Sequence, residues 1–228
     1  MLSLLSKNIF KGHCFPKAII LQAVYFKLRF SLSYRDVEEL LSIRGVKVDH
    51  ATIQRWVFKF SPLVEQQFRK RKKSVGKRWR LDETYIKVKG EWRYLYRAVD
   101  KEGNTVDFLL TKRRQRISAQ RFLIKAIDNN GKPELINIDK SGSNTAAIKL
   151  YNRRSYSKIK IRQCKYINNV VEQDHRMIKW RIMQGLGFKE FESAKRTISG
   201  IEVVRMIKKN QLLNPKSSTY KSFISLAS

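Results

Sequence analysis

Apolar positions in the first sixty residues recur at helical spacing. Ile20, Ala23, Val24 and Leu28 share one face of a helix that Pro16 opens and that is expected to run to about Phe30. Ser33-Tyr34-Arg35-Asp36 has the form of a capping box, with Asp in place of Glu. The helix it opens carries Val37, Leu40 and Leu41 on one side and stops at Gly45. After a short turn, Asp49 caps a third helix with Ile53, Trp56, Val57 and Phe60 inward, ended by Pro62. Three short helices with a tight turn before the last follow the helix-turn-helix plan. The third helix turns His50, Gln54, Arg55 and Phe58 outward, with Lys59 at the margin. Gln and Arg can read base edges in a major groove. A small helical bundle that binds nothing, or only a dimer partner, fits the same pattern.

Beyond residue 78 the period shortens to that of strands. Trp79–Val88 is rich in β-branched and aromatic residues, with Asp82 and Glu83 in its middle. Gly90-Glu91 reads as a turn, and Trp92, Tyr94 and Tyr96 alternate along a second strand. Gly103-Asn104 turns again before Val106, Phe108 and Leu110 alternate along a third. A helix from about Ser118 has Phe122, Leu123, Ala126 and Ile127 inward and ends at Gly131-Lys132-Pro133. Leu135–Ile138 is a short buried strand with Asp139 at its end, followed by a helix near Ala146–Tyr151. Ile159 and Ile161 mark a last strand, and two more helices follow, the final one with Ala194, Ile198, Ile201 and Val204 on one face.

This order is that of a ribonuclease H-like domain, a mixed five-stranded sheet with flanking helices. Three strands form an antiparallel meander and two more join in parallel through helices. The expected segments are a helix-turn-helix domain over 1–62, a basic linker over 63–77, the ribonuclease H-like domain over 78–212 and a tail over 213–228. In that fold the first and fourth strands are neighbours, so Asp82 and Asp139 approach each other.

The next helix supplies a third carboxylate. Asn168–Lys179 reads Asn-Asn-Val-Val-Glu-Gln-Asp-His-Arg-Met-Ile-Lys, with Asn169 as a possible N-cap. At about 100° per residue, Glu172, His175, Arg176 and Lys179 fall along one stripe, beside an apolar stripe of Val171, Ile178 and Ile182. An ordinary surface helix with ion pairs one turn apart has the same look. Three carboxylates from three elements repel unless a counter-charge joins them, and two divalent cations are the usual one. Glu83 is expected on the opposite sheet face, partnered by an Arg. Asp100 fits a local role at a turn.

Charge changes the picture of partners. The 228 residues hold 49 Lys and Arg against 19 Asp and Glu, a formal +30. That excess calls for a polyanion, and nucleic acid suits charge spread along the whole chain better than a membrane surface does. Eight of the twelve residues Arg69–Arg80 are basic, among them Lys70, Arg71 and Lys72, which reads as a solvated segment lying on phosphates. Hydrophobic residues make up 42%, enough for a folded core. Cys14 and Cys164 are the only cysteines. They suit a reducing compartment, and His13-Cys14 offers too few ligands for zinc. The run Ala18–Leu28 is broken by Gln22 and Lys27, so neither a signal peptide nor a membrane span is expected.

Three markers carry a family resemblance. One is Leu81-Asp82-Glu83-Thr84-Tyr85-Ile86-Lys87-Val88-Lys89-Gly90 with Trp92 and Tyr94-Leu95-Tyr96-Arg97-Ala98. The second is Tyr34-Arg35-Asp36-Val37 with Thr52-Ile53-Gln54-Arg55-Trp56-Val57. The third is Glu172-Gln173-Asp174-His175-Arg176 with Lys179. Together they resemble the bacterial insertion-sequence transposases of the IS-six family, a branch of the DDE transposases, from about Phe15 onward. The resemblance implies a catalytic triad of Asp82, Asp139 and Glu172, with Lys179 as the basic residue after the Glu. It implies two Mg²⁺ ions, replaceable by Mn²⁺, and a cytoplasmic, nucleoid-associated protein that joins donor and target DNA replicatively as a homodimer or higher oligomer. Gln54, Arg55 and Lys59 would then contact terminal inverted repeats, and Lys70, Arg71, Lys72 and Arg176 the phosphates. The run Asn137-Ile138-Asp139-Lys140-Ser141-Gly142 departs from the family pattern, in which Thr often precedes the Asp and Ala-Pro follows. A nuclease that only hydrolyses, and a DNA-binding repressor with an inert second domain, remain alternatives.

Overall fold

The computed structural model describes residues 9–139, 142–164, 169–184 and 188–227; the side chains of 169–172, 174, 183 and 184 lie outside that description. The chain divides into two compact units. One holds Met1–Lys73 and Glu192–Ser228, and the other is built mainly from Ser74–Met183.

In the first unit, α1 spans Lys17–Arg29, α2 Tyr34–Ser42 and α3 His50–Lys70. The capping box at the start of α2 is present: Ser33 Oγ accepts from Asp36 N at 3.0 Å and Asp36 accepts from Ser33 N at 2.6 Å. Asp49 caps α3 by accepting from Thr52 N, and Ile53, Trp56, Val57 and Phe60 are buried. The expected stop at Pro62 does not occur, because α3 runs on for 21 residues with Pro62 inside it. Proline offers no N–H to the carbonyl one turn back, that of Phe58. Arg196 occupies that carbonyl instead, with Nη1 3.4 Å from Phe58 O and the guanidinium 4.0 Å above the Phe58 ring. A partner for the orphaned carbonyl and the buried Val64 and Phe68 beyond it keep the helix intact.

The later helices α7 (Phe191–Lys208) and α8 (Thr219–Ile224) complete this unit's core rather than a strand domain and a tail. Tyr25 packs on Phe223 with centroids 5.4 Å apart, and Gly200 lets α7 approach Leu28 and Ser61 closely. The basic stretch is likewise folded in. Arg69 pairs with Glu65 at 2.7 Å, Arg71 Nη1 donates to Ser225 O at 3.0 Å, and Lys72 bridges to Leu212 as a β-pair. A solvated linker was expected there; the apolar positions Val64 and Phe68 carry the helix through it.

The second unit is a five-stranded sheet in the order β3-β2-β1-β4-β5. Its strands are β1 (Arg78–Val88), β2 (Glu91–Asp100), β3 (Thr105–Thr111), β4 (Leu135–Ile138) and β5 (Lys160–Gln163). The first three are antiparallel, and β4 and β5 run parallel to β1. Lys89 and Gly90 form the first hairpin, both with positive φ (50° and 79°), the conformation that matches strand twist. Helices α4 (Arg116–Asn130) and α5 (Gly142–Arg154) cover one sheet face, closing a core of Trp79, Leu81, Tyr96, Ala98, Phe122, Leu123, Ile136, Ile138 and Ile148. Helix α6 spans Asn169–Gln184, so Asn169 is its first helical residue rather than a flanking cap.

Candidate active site

Strand alternation decides which way each acidic residue faces. Trp79 and Leu81 point into the α4/α5 core, so Asp82 points to the other face. In the parallel pair β1–β4, Arg80 is opposite Asn137. Two residues further along come Asp82, still within β1 and on the face that carries Arg80, and Asp139, one residue past the end of β4. Asp139 is half-buried just past the end of β4. The Asp82 side chain is 17% exposed.

Helix α6 reaches the same place. His175 Nδ1 stands 3.7 Å from Asp82 Oδ2, and His175 is buried together with Ile178 and Ile182. From sequence His175 belonged to the polar stripe and was expected to be a satisfied neighbour; it is a neighbour of Asp82 on the buried side. Glu172 lies three residues before it on that helical face, and its side chain is outside the described residues, as is that of Asp174. Lys179 is half-buried and Arg176 exposed. Lys140 and Ser141, where the motif departs, also fall outside the described residues.

Arg97 was not singled out from sequence. It sits directly across from Asp82 in the β1–β2 register and is 0% exposed. Cross-strand partners bring their Cβ atoms within about 5 Å, so a buried cation flanks the first carboxylate. A lone Arg inside the apolar run Tyr94–Val99 was the available signal.

The rival acids are accounted for. Glu83 faces α5, pairs with Arg114 and accepts from Asn144 Nδ2 at 3.1 Å. The Arg comes from the loop after β3 and not from the adjacent strand. Burial works against the charge on Arg114, but Glu83, followed by Tyr85 and Asp139, more than offsets it and raises its pKa. Asp100 accepts from Gly76 N, Asn104 N and Asn104 Nδ2, a turn-closing role. Asp107 is held by Lys125 at 3.3 Å and Asn129 at 2.9 Å.

On α3, Gln54, Arg55 and Lys59 are exposed. Arg55 Nη2 donates to Thr52 Oγ1 at 2.8 Å, and Lys59 Nζ lies 2.9 Å from His13 Nε2. The Lys59 ammonium helps to lower the pKa of His13, after burial. Lys70 is exposed at the helix end, whereas Arg71 and Lys72 are half-buried. Both cysteines are free, and among the described residues no helix is long and apolar enough to cross a membrane.

The DDE domain family of IS240-type transposases matches residues 76–211, more than half of the chain. The transposase for insertion sequence-like element IS431mec of Staphylococcus aureus is 41% identical over 210 residues, 90% of this chain and 91% of that one. The chain belongs to the IS-six family of DDE transposases. The transposase for insertion sequence element IS257 in transposon Tn4003, also from Staphylococcus aureus, is similar to this transposase at the same identity and coverage. Among solved structures, the HTLV-2 integrase catalytic core domain in complex with magnesium (dimeric form) covers 68% of this transposase and 99% of that chain, with 20% identity and a TM-score of 0.46. This insertion-sequence transposase is therefore an enzyme that cleaves DNA and transfers the cut strand.

Proposed function

We propose that Asp82, Asp139 and Glu172 form the catalytic triad of a ribonuclease H-like transposase that cuts at the ends of its element and joins them to target DNA. The observation that carries this is the position of Asp82 in β1 and of Asp139 just past β4, each two residues beyond the paired Arg80 and Asn137, with α6 brought to Asp82 by His175. The strand order, with β1 between the meander and the parallel pair, supports the fold assignment.

The donor set suits divalent cations. Among the described residues no group of three or more His, Cys, Asp or Glu could hold an ion. Asp82 and Asp139 supply two carboxylates, and the third is assigned to Glu172. Hard oxygen donors of this kind select Mg²⁺ or Mn²⁺. When bound, such ions supply Lewis acidity to the phosphate oxygens and to the entering and leaving groups. The chain's own residues do the rest. His175 and Arg97 hold the Asp82 carboxylate in place. Lys179 and Arg176 neutralise the DNA backbone beside the scissile phosphate. Gln54, Arg55 and Lys59 present the outward face of a helix-turn-helix to the terminal inverted repeats, and Lys70 adds non-specific affinity. Arg71 and Lys72, committed to the fold, contribute less. Family membership supports replicative joining by a dimer or higher oligomer that grips both ends.

The test is incubation of the full chain with its own flanking DNA, Mg²⁺ and a target plasmid. Joined donor–target products are expected, and Asp82→Asn should abolish them while terminal-DNA binding persists. Hydrolysis without joined products would leave a nuclease; binding without nicking would leave a repressor.

A further inference from the structure

Ahead of the carboxylates, on the same sheet face, lies a cleft of about 690 Å³. Its cationic lining is Arg78 and Arg80 of β1, Lys101 after β2, and Lys158, Lys160 and Arg162 around β5. Strand register orders these charges. Arg78, Leu135 and Lys160 form one row across three strands, and Arg80, Asn137 and Arg162 form the next. Rows two residues apart are separated by about 6.6 Å along the strands. Two residues beyond the second row come Asp82 in β1 and Asp139 just past β4, so cations give way to carboxylates along the strand direction.

Ordinary structural roles do not account for this lining. Cations on an edge strand discourage pairing with another sheet, which explains Lys160 and Arg162 on β5. They do not explain Arg78 and Arg80, because β1 is the middle strand. Among the described residues the one acid lining the cleft, Glu134, lies 3.8 Å from Lys77. A buried donor points to an anionic ligand. Among the described residues, Nη1 of Arg80, the register partner of Asn137, is buried with no acceptor. Buried polar groups in folded proteins are nearly always matched, so an unmatched guanidinium N–H at the wall of a cationic cleft marks a surface completed by a bound acceptor such as a phosphate oxygen.

We propose that this cleft is a phosphate-backbone track for target DNA, gripped without regard to sequence. The proposal rests on the carboxylate assignment above, which puts the reacting phosphodiester at the end of the track. Lys and Arg contacts to phosphate position a duplex but carry no sequence information. Among the described residues no aromatic side chain lines the cleft, and Asn137 is too buried to reach a base edge. Reading of the element's ends falls to the outward face of α3. What remains for a sequence-blind cationic track is the DNA a transposase must hold whatever its sequence.

The test uses the full chain saturated with unlabelled duplex from the element's own end, into which a fluorescent random-sequence duplex is titrated. Arg78→Ala/Lys160→Ala/Arg162→Ala, at three exposed positions, should weaken capture of the random duplex at least tenfold. The slope of log affinity against log salt should become shallower by about 2.7, or about 0.9 for each phosphate left without its cation. Affinity for the end duplex alone should stay within about twofold, since its specific contacts lie elsewhere. Arg78→Glu by itself should move capture in the same direction. Unchanged capture and slope overturn the proposal. An equal loss of end-duplex affinity overturns it as well, because the cleft would then belong to end binding. Capture needs no strand cleavage, so a failure of the triad assignment shows separately, as nicking that survives Asp82→Asn.

Discussion

Exchanging Asp82 and Glu83 for their amides, one at a time, should separate catalysis from stability. The two are adjacent in sequence and opposite in the sheet. The Glu83 side chain is 5% exposed and ion-paired with Arg114, which is 40% exposed. A hydrogen bond to a charged partner contributes about 1.5–3 kcal/mol when buried. Screening at the exposed Arg114 end places the loss in Glu83→Gln near the lower bound, about 1.5–2 kcal/mol. At about 2–4 °C per kcal/mol for a chain of this size, melting should fall by roughly 3–8 °C. Nicking measured well below that melting point should stay within a few-fold of the parent. Asp82→Asn should do the reverse. It weakens the attraction to Arg97 but relieves the repulsion from Asp139, so stability should move by less than about 1 kcal/mol. Loss of about 4 kcal/mol of transition-state stabilisation would slow nicking about a thousandfold. The assays are Mg²⁺-dependent nicking of a labelled terminal duplex and thermal unfolding of the same preparations. A folded Glu83→Gln protein that no longer nicks, or an Asp82→Asn protein that nicks at a comparable rate, would refute the assignment of faces.

Glu172 and Asp174 are about 200° apart around α6, so both cannot face the same ions. Glu172→Gln should eliminate Mn²⁺-dependent nicking and Asp174→Asn should leave it within a few-fold; the opposite outcome would mean the helix is rotated. A Cβ at Gly200 would lie 2.6 and 2.7 Å from the Leu28 methyls and 2.8 Å from Ser61 Oγ. Overpacking of about 1–3 kcal/mol outweighs the roughly 1 kcal/mol that Ala gains over Gly in a helix, so urea unfolding of Gly200→Ala should show a net loss of up to about 2 kcal/mol. Burial lowers the Lys27 ammonium to about 8, against an opposing pull from Asp36. Between that value and the ordinary lysine range the unfolded chain binds the extra proton, so stability should rise from about pH 8 towards pH 10. Lys27→Met should flatten that rise in urea midpoints taken across the window, and an unaltered slope would contradict it.

Local chemistry made much of the fold legible in advance. The Ser33 and Asp49 caps, the strand alternation around Tyr94 and Tyr96, and the opposite faces of Asp82 and Glu83 all follow from short-range rules. The continuation of α3 through Pro62 does not, because it depends on Arg196, far along the chain, reaching the orphaned carbonyl. The same applies to Arg71 and Lys72, whose partners Ser225 and Leu212 are distant in sequence. Arg97 was visible as a lone charge in an apolar strand, but its place beside Asp82 needed the β1–β2 register. The cationic rows needed two parallel registers at once, and strands of four residues such as β4 and β5 are too short for periodicity to set them.

Helices α1–α3 are translated before the segments that complete their core. Tyr25 waits for Phe223, Leu28 for Gly200, and the Phe58 carbonyl for Arg196. On the ribosome, these helices lack part of their core until α7 and α8 have been made. A nascent or prematurely terminated chain that stops short of α7 therefore exposes Leu28 and its neighbours and is a substrate for proteases. The order of synthesis thus ties the stability of α1–α3 to the translation of α7 and α8.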